Sequence, residues 1–387
     1  MKLACARLLC CAAFCSMGVA WAQLGPYFAP ALPYAGRQPP GQSMGGVSPV
    51  WAEEVPSGLG NPAGSAGIDR VTVAMGGRVA LTSLSFRKTT TRESADETFA
   101  EWLWPSSLGA AIPLRLVGQH MAVSATYDGP AAMEWDGTHA PTKTEVARKG
   151  SAFSISLGAA WLLSRRAAFG IGLTRWVGET RWELSAPSSE QTGQVRQHYR
   201  GTGVHFGAQT RGAGLAAGIV LHLPHRLMSG EARAMPPWGP KVEYLHRQEF
   251  PGAVDFGIGY AKGDRFAVAT SAVLQRASTF QTRSSSWRAN RGASGAGKVS
   301  AGVQYQFALD KLTILAYISY GIVRMPKAQG MDPPEFLQMT RTDDDLVVYE
   351  LTLGASAKMK RWALHLMAQW LRSSFAVGEH LLAPPWS

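Results

Sequence analysis

Beyond residue 15 the chain contains no cysteine. Its four, Cys5, Cys10, Cys11 and Cys15, sit together at the start, so the rest has no disulfide, thiolate nucleophile or cysteine metal ligand. Long apolar runs are also missing: past residue 22 none approaches the roughly 18–20 residues that a spanning helix needs. Charged residues are scarce, at 17%, although the balance is basic with a formal net charge of +11. No Ser/His/Asp set or carboxylate pair is placed to argue catalysis. The sequence therefore reads as a non-enzyme without a cofactor.

What is present begins with an export pattern. Lys2 and Arg7 form a basic start, residues 8–20 are mostly apolar, and Ala20-Trp21-Ala22 offers a small-residue cleavage site before Gln23. Residues 1–22 are expected to be a cleaved secretory signal peptide. Cys15 follows Ala-Ala-Phe with the apolar run continuing past it, which argues against lipidation there. A basic balance raises nucleic acid as a partner. Export sets that aside in favour of lipid phosphate, and the expected location is the bacterial outer membrane.

The remaining hydrophobicity, 46% of residues overall, is spread in alternation. Strand side chains alternate faces, so a barrel strand reads apolar outward and small or polar inward over about 9–11 residues. In 361–371, Trp362, Leu364, Leu366, Ala368 and Trp370 form one face, while Arg361, Ala363, His365, Met367 and Gln369 form the other. The pattern recurs with Phe153, Ile155, Leu157, Ala159 and Trp161, with Val299 to Phe307, with Leu312 to Tyr320, and with Val347 to Ala355. Soluble sandwiches alternate too. Here aromatics stand at the ends of the wide face, which predicts Trp161, Trp362, Trp370 and Tyr320 as membrane girdle residues. The inward faces read as small and neutral.

These patterns predict an all-β antiparallel transmembrane barrel of about 14 strands, with 12 as the lower count because 102–114 and 227–235 are weak. Bacterial single-chain barrels carry even numbers. Short links at 164–165, 262–263 and 310 read as periplasmic turns, and 87–101, 129–149, 185–196, 276–296 and 324–345 as outer loops. Three segments follow: a signal peptide at 1–22, a Pro- and Gly-rich plug or hatch at 23–67, and a barrel at 68–387.

Several constellations carry no chemistry. The run from Gly292 to Lys298 mimics a phosphate loop, but Val299 replaces the hydroxyl residue and a strand follows where a helix is required. His222 and His225 flank Pro224 across an apparent turn, and a spacing of three on a strand puts side chains on opposite faces. His198, His205 and His365 are scattered. Asp343, Asp344 and Asp345 read as a solvated loop rather than a cation site. No metal is expected.

The stretch Met44-Gly45-Gly46-Val47, followed by Gly58-Leu59-Gly60-Asn61-Pro62-Ala63-Gly64-Ser65-Ala66-Gly67, resembles the N-terminal signature of FadL/TodX-type (OMPP1) outer-membrane transporters. Residues 250–254 and 256–260 resemble a later family segment. The resemblance implies a 14-stranded barrel plugged by its N-terminal segment, with Asn61, Pro62, Ala63 and Gly64 as hatch elements. It also implies passive transport of long-chain fatty acids or aromatic hydrocarbons, released sideways through a kinked strand. Tyr27, Phe28, Trp51 and Phe250 are apolar candidates for lining the route. The expected partners are outer-membrane lipid, lipopolysaccharide and hydrophobic cargo, with the protein a monomer. The competing reading is a structural or secretion-associated barrel that docks other exported proteins; an open general porin is a third.

Overall fold

The computed structural model of the chain describes residues 60–88, 94–116, 118–132, 135–139, 144–185, 192–234, 242–250, 252–263, 265–275, 279–283, 288–292, 296–309, 312–325, 346–359 and 362–377. The expected signal peptide, and Tyr27, Phe28 and Trp51, lie outside the described residues.

After a 3₁₀ turn at Pro62–Gly67 the described chain is strand throughout. The strands are β1 (Thr72–Lys88), β2 (Ser94–Leu116), β3 (Gln119–Ala132), β4 (Trp135–His139), β5 (Thr144–Leu162) and β6 (Ala167–Ser185). Then come β7 (Thr192–Gly212), β8 (Leu215–His222), β9 (His225–Ala234), β10 (Val242–Phe250), β11 (Ala253–Lys262) and β12 (Phe266–Gln275). The last are β13 (Thr279–Arg283), β14 (Arg288–Gly292), β15 (Ala296–Leu309), β16 (Leu312–Met325), β17 (Leu346–Met359) and β18 (Trp362–Val377).

Side-chain alternation decides which face is which. On β12, Ala267, Ala269, Ser271 and Val273 are buried while Phe266 and Leu274 are exposed. On β5, Ser154 and Ser156 are buried and Ile155 and Leu157 exposed. Large apolar side chains point outward all round the sheet, as with Ile258 at 65% and Val299 at 63% exposure. In water this arrangement would be inside out; in lipid it satisfies both faces. Closure supplies the rest, since it removes every sheet edge.

The ring runs β1, β2, β3, β5, β6, β7, β8, β11, β12, β15, β16, β17, β18 through antiparallel pairings, and β18 returns to β1. Among the described residues it closes with 13 members. The segments β4, β9, β10, β13 and β14 continue β3, β8, β11, β12 and β15 beyond that ring. Strand direction alternates along the chain, so an odd ring brings its first and last members together running the same way. Accordingly β1 and β18 are parallel, from Val73 opposite Trp362 to Lys88 opposite Val377. The barrel and the approximate count stand as expected, but evenness does not. The stretches 213–222 and 227–235, counted from sequence as two strands, are one strand interrupted at Leu223 and Pro224: β8 and β9 both pair with β7.

Short connections gather at one rim. The turn between β7 and β8 is only Ala213 and Gly214, both in the left-handed region at φ 51 and 81. The longer intervals between strands lie at the opposite rim, and this asymmetry makes the short-turn rim periplasmic. Aromatics mark the rims. Trp161 stacks on Phe169 near the short turns with centroids 6.1 Å apart, and Tyr127 meets Phe153 at 5.6 Å toward the other rim. Tyr320 and Trp370 are both exposed and lie either side of Leu351 in one row of the ladder. Trp362 opens β18, its side chain outside the described set.

Candidate functional site

The turn formed by Asn61 to Gly67 is legible down to single bonds. Asn61 caps the 3₁₀ turn: its carboxamide oxygen accepts from the Ala63 amide at 3.0 Å, and Pro62, which has no N–H to lose, takes the first position. The Gly64 amide donates to the Asn61 carbonyl at 3.1 Å, and the Ser65 hydroxyl to the Pro62 carbonyl at 3.3 Å. An irregular segment inside a barrel must satisfy its backbone in this way. Asn61, Pro62, Ala63 and Ser65 are buried, with Gly64 half-buried.

The wall that receives this turn is built of glycine and alanine. A Cβ on Gly170 of β6 would come within 2.5 Å of the Ala63 nitrogen and the Pro62 carbonyl carbon. One on Gly207 of β7 would collide with the Asn61 carboxamide oxygen and lie 2.7 Å from Pro62 Cδ. Gly170 and Gly207 are register partners, so the two absent side chains form one recess. Asn61 Nδ2 closes it by donating to the Ala208 carbonyl at 3.2 Å. Ala63 and Ala66 pack on Ala160 and Ala168, with Leu162 at the edge.

Directly toward the loop rim the same device seats imidazoles. Gly172 lies under the His205 ring and Gly203 under that of His225. His205 stacks on His222 of the neighbouring strand with centroids 5.5 Å apart. The sequence expectation put His222 and His225 on opposite faces. Instead the interruption at Pro224 re-aims His225, so both rings meet the interior wall. Among the described residues no group of His, Cys, Asp and Glu is arranged to hold a metal ion.

At the interruption the ladder itself is broken. Pairing of β9 with β10 ends at His225 and Phe250, and pairing of β8 with β11 resumes at His222 and Ala253. Pro224 has no N–H to donate to the ladder. Leu223 still donates to the Val204 carbonyl on the other side, at 2.9 Å. Phe250, a predicted lining residue, ends β10 at this break, its side chain outside the described set.

Across the lumen the wall is polar and bonded through its own side chains. Lys298 Nζ on β15 donates to Glu350 Oε2 on β17 at 2.7 Å, both side chains about 5% exposed. Gln369 and Thr352 donate to the other carboxylate oxygen at 2.9 and 3.2 Å. Gly321 on the intervening β16 leaves the path clear; a Cβ there would sit 3.3 Å from Lys298 Cε. Ser356 bonds His365 Nδ1 at 2.6 Å, and Ser271 bonds Ser300 at 3.1 Å. The interior is therefore small but not neutral. Asp128, Asp255, Lys298 and Glu350 are all buried on the inner wall, and Lys298 and Glu350 pair with each other there. The supposed phosphate-loop lysine is this buried Lys298, on a strand.

No protein-family profile matches the sequence, and no curated protein does. Solved structures do. A Pseudomonas aeruginosa FadL homologue is 14% identical, with 87% of this chain and 90% of that one covered, at a TM-score of 0.54. The CymD monoaromatic hydrocarbon channel is 14% identical over 84% and 90%, at 0.52. The TodX deltaS2S3 mutant, a monoaromatic hydrocarbon channel, is 12% identical over 83% and 92%, at 0.50. At such identities the likeness lies in the fold, and this chain folds as those outer-membrane channels do.

Proposed function

We propose that the protein is a passive outer-membrane channel for hydrophobic small molecules, such as long-chain fatty acids or aromatic hydrocarbons, and that it releases them sideways. The observation that carries this reading is the fitted seat of the N-P-A-G turn on Gly170 and Gly207. A wall shaped to hold a plug argues against an open porin, which would need an unobstructed lumen. The lateral route is assigned to the break between β8 and β9 on one side and β10 and β11 on the other. There the ladder lacks donors, so opening it sacrifices few hydrogen bonds. Transport would run down a gradient, as a monomer, with no nucleotide or redox cofactor.

The test is uptake of a panel of fatty acids and aromatic hydrocarbons by a deletion strain, complemented with wild type or with the variant Leu223→Cys/Gly252→Cys oxidised across the break. Loss of uptake in the deletion and in the oxidised variant, restored by reduction, is the expected result. Uptake equal to wild type across the panel rejects the transport reading and leaves the docking role. Normal uptake by the oxidised variant rejects only the lateral route.

A further inference from the structure

The outer face of β5, β6 and β7 departs from the rest of the barrel. On other strands the lipid-facing column stays apolar further up: on β18 it reads Leu366, Ala368, Trp370 before reaching Arg372, and on β16 Ile318, Tyr320, Ile322 before reaching Arg324. On β6 it reads Ile171, Leu173, Arg175, Val177, Glu179, Arg181. Arg175 is exposed and in register with Ile155 on β5 and Thr202 on β7. It stands six residues above Phe169 of the lower aromatic pair, about 20 Å along the strand. At a tilt near 40° that is about 15 Å of height, inside an apolar band about 25 Å tall.

Arg175 is not alone. Arg200 on β7, also exposed, occupies the next row opposite Val177. Two rows further, Arg181 is flanked in register by Lys149 on β5 and Arg196 on β7. Glu179, the one carboxylate described within the patch, lies 3.3 Å from His198, and the three described arginines Arg175, Arg181 and Arg200 outnumber it. Arg175 Nη1 donates to Thr202 Oγ1 at 2.7 Å, which fixes one edge of the guanidinium and leaves its other donors facing outward. A lone cation facing hydrocarbon is expensive, whereas a guanidinium that meets a phosphate forms paired, charge-assisted bonds. Carboxylate partners, the usual answer on a water-facing rim, are not supplied in matching number by the described rows.

We propose that this face is a binding site for the phosphates of an outer-leaflet glycolipid, whose acyl chains lie on Leu157 and Leu173 beneath the arginines. Arg175 and Arg200 take the deeper phosphate, and Arg181 the shallower. The site is on the outer wall and independent of any cargo in the lumen.

The test uses the purified full-length protein in detergent, with native mass spectrometry and thermal shift as readouts. The probes are bis-phosphorylated lipid A, the same lipid with both phosphates removed, and inorganic phosphate. Wild type should retain the bis-phosphorylated lipid at least tenfold better than the dephosphorylated one, and Arg175→Gln/Arg181→Gln/Arg200→Gln should abolish that preference. Arg324→Gln/Arg372→Gln, on the opposite wall, should leave it unchanged. Equal retention of the two lipids by wild type, or a triple variant that binds like wild type, overturns the proposal. Full displacement by inorganic phosphate does so as well, since it would reduce the site to a free-anion patch. If the triple variant fails to fold, Arg175→Gln alone is judged by the same criteria.

Discussion

Two walls of this barrel solve the same problem in opposite ways. Along β15 to β18 the interior face fills its space with its own side chains: Lys298 reaches across Gly321 to Glu350, and Gln369 and Thr352 donate to the other carboxylate oxygen. Along β5 to β7 the interior face is left unfinished, with Gly170 and Gly207 emptied for Asn61 to Ala63 and Gly203 for His225. One wall is filled by its own side chains, and the other only when the Asn61–Ala63 turn and the His225 ring are in place. The barrel's strength and its plug are therefore separable properties, and each can be broken without the other.

The largest effect is expected on the self-filled wall. Glu350→Ala would strand the buried Lys298 ammonium and should destabilise the barrel by about 3–5 kcal/mol, read as a lowered midpoint of urea unfolding in detergent. Replacing both partners, as Lys298→Met/Glu350→Leu, should fall within about 1 kcal/mol of wild type. A double variant as unstable as the single would show that the belt depends on more than this pair.

On the unfinished wall, Gly207→Val should cost the hatch about 1–3 kcal/mol of overpacking while the unfolding midpoint of the barrel hardly moves. Single-channel conductance in planar bilayers should rise, because the turn no longer fits. Asn61→Ala is the gentler form of that experiment. It removes the cap on Ala63 and the bond to Ala208 and should weaken seating by about 1–2 kcal/mol, seen as brief openings rather than a lasting pore. If Gly207→Val lowered the barrel midpoint as much as Glu350→Ala does, the distinction between the two walls would fail. The smallest change lies at the periplasmic turn: Ala213→Asn, at a φ of 51, should gain under about 1 kcal/mol.

Much of this was readable in advance, and the reason is periodicity. Faces such as Ser154 and Ser156 against Ile155 and Leu157 follow from alternation alone, and the outward positions of Tyr320 and Trp370 come with them. The 3₁₀ turn was readable because Asn61 and Pro62 are types with fixed local roles. What alternation could not show were relations between strands. Lys298 and Glu350 lie 52 positions apart and meet only once register is known; in sequence the lysine merely ended a glycine run. Gly170 and Gly207 likewise look like ordinary strand glycines until Asn61 and Pro62 are set against them. Pro224 was ambiguous for a physical reason: a proline missing its ladder bond looks the same at a turn and at a break in a continuing strand. That ambiguity supplied the extra strand in the count and sent His225 to the wrong face.

The parallel meeting of β1 and β18 has a directional corollary. Both strands climb from the short-turn rim, so Val377 finishes level with Lys88 at the long-loop rim, whereas an antiparallel closure would have returned the chain to the periplasmic side. Whatever is appended after Val377 thus starts its path on the outside of the cell, and an epitope placed there should be reached by antibody on intact bacteria.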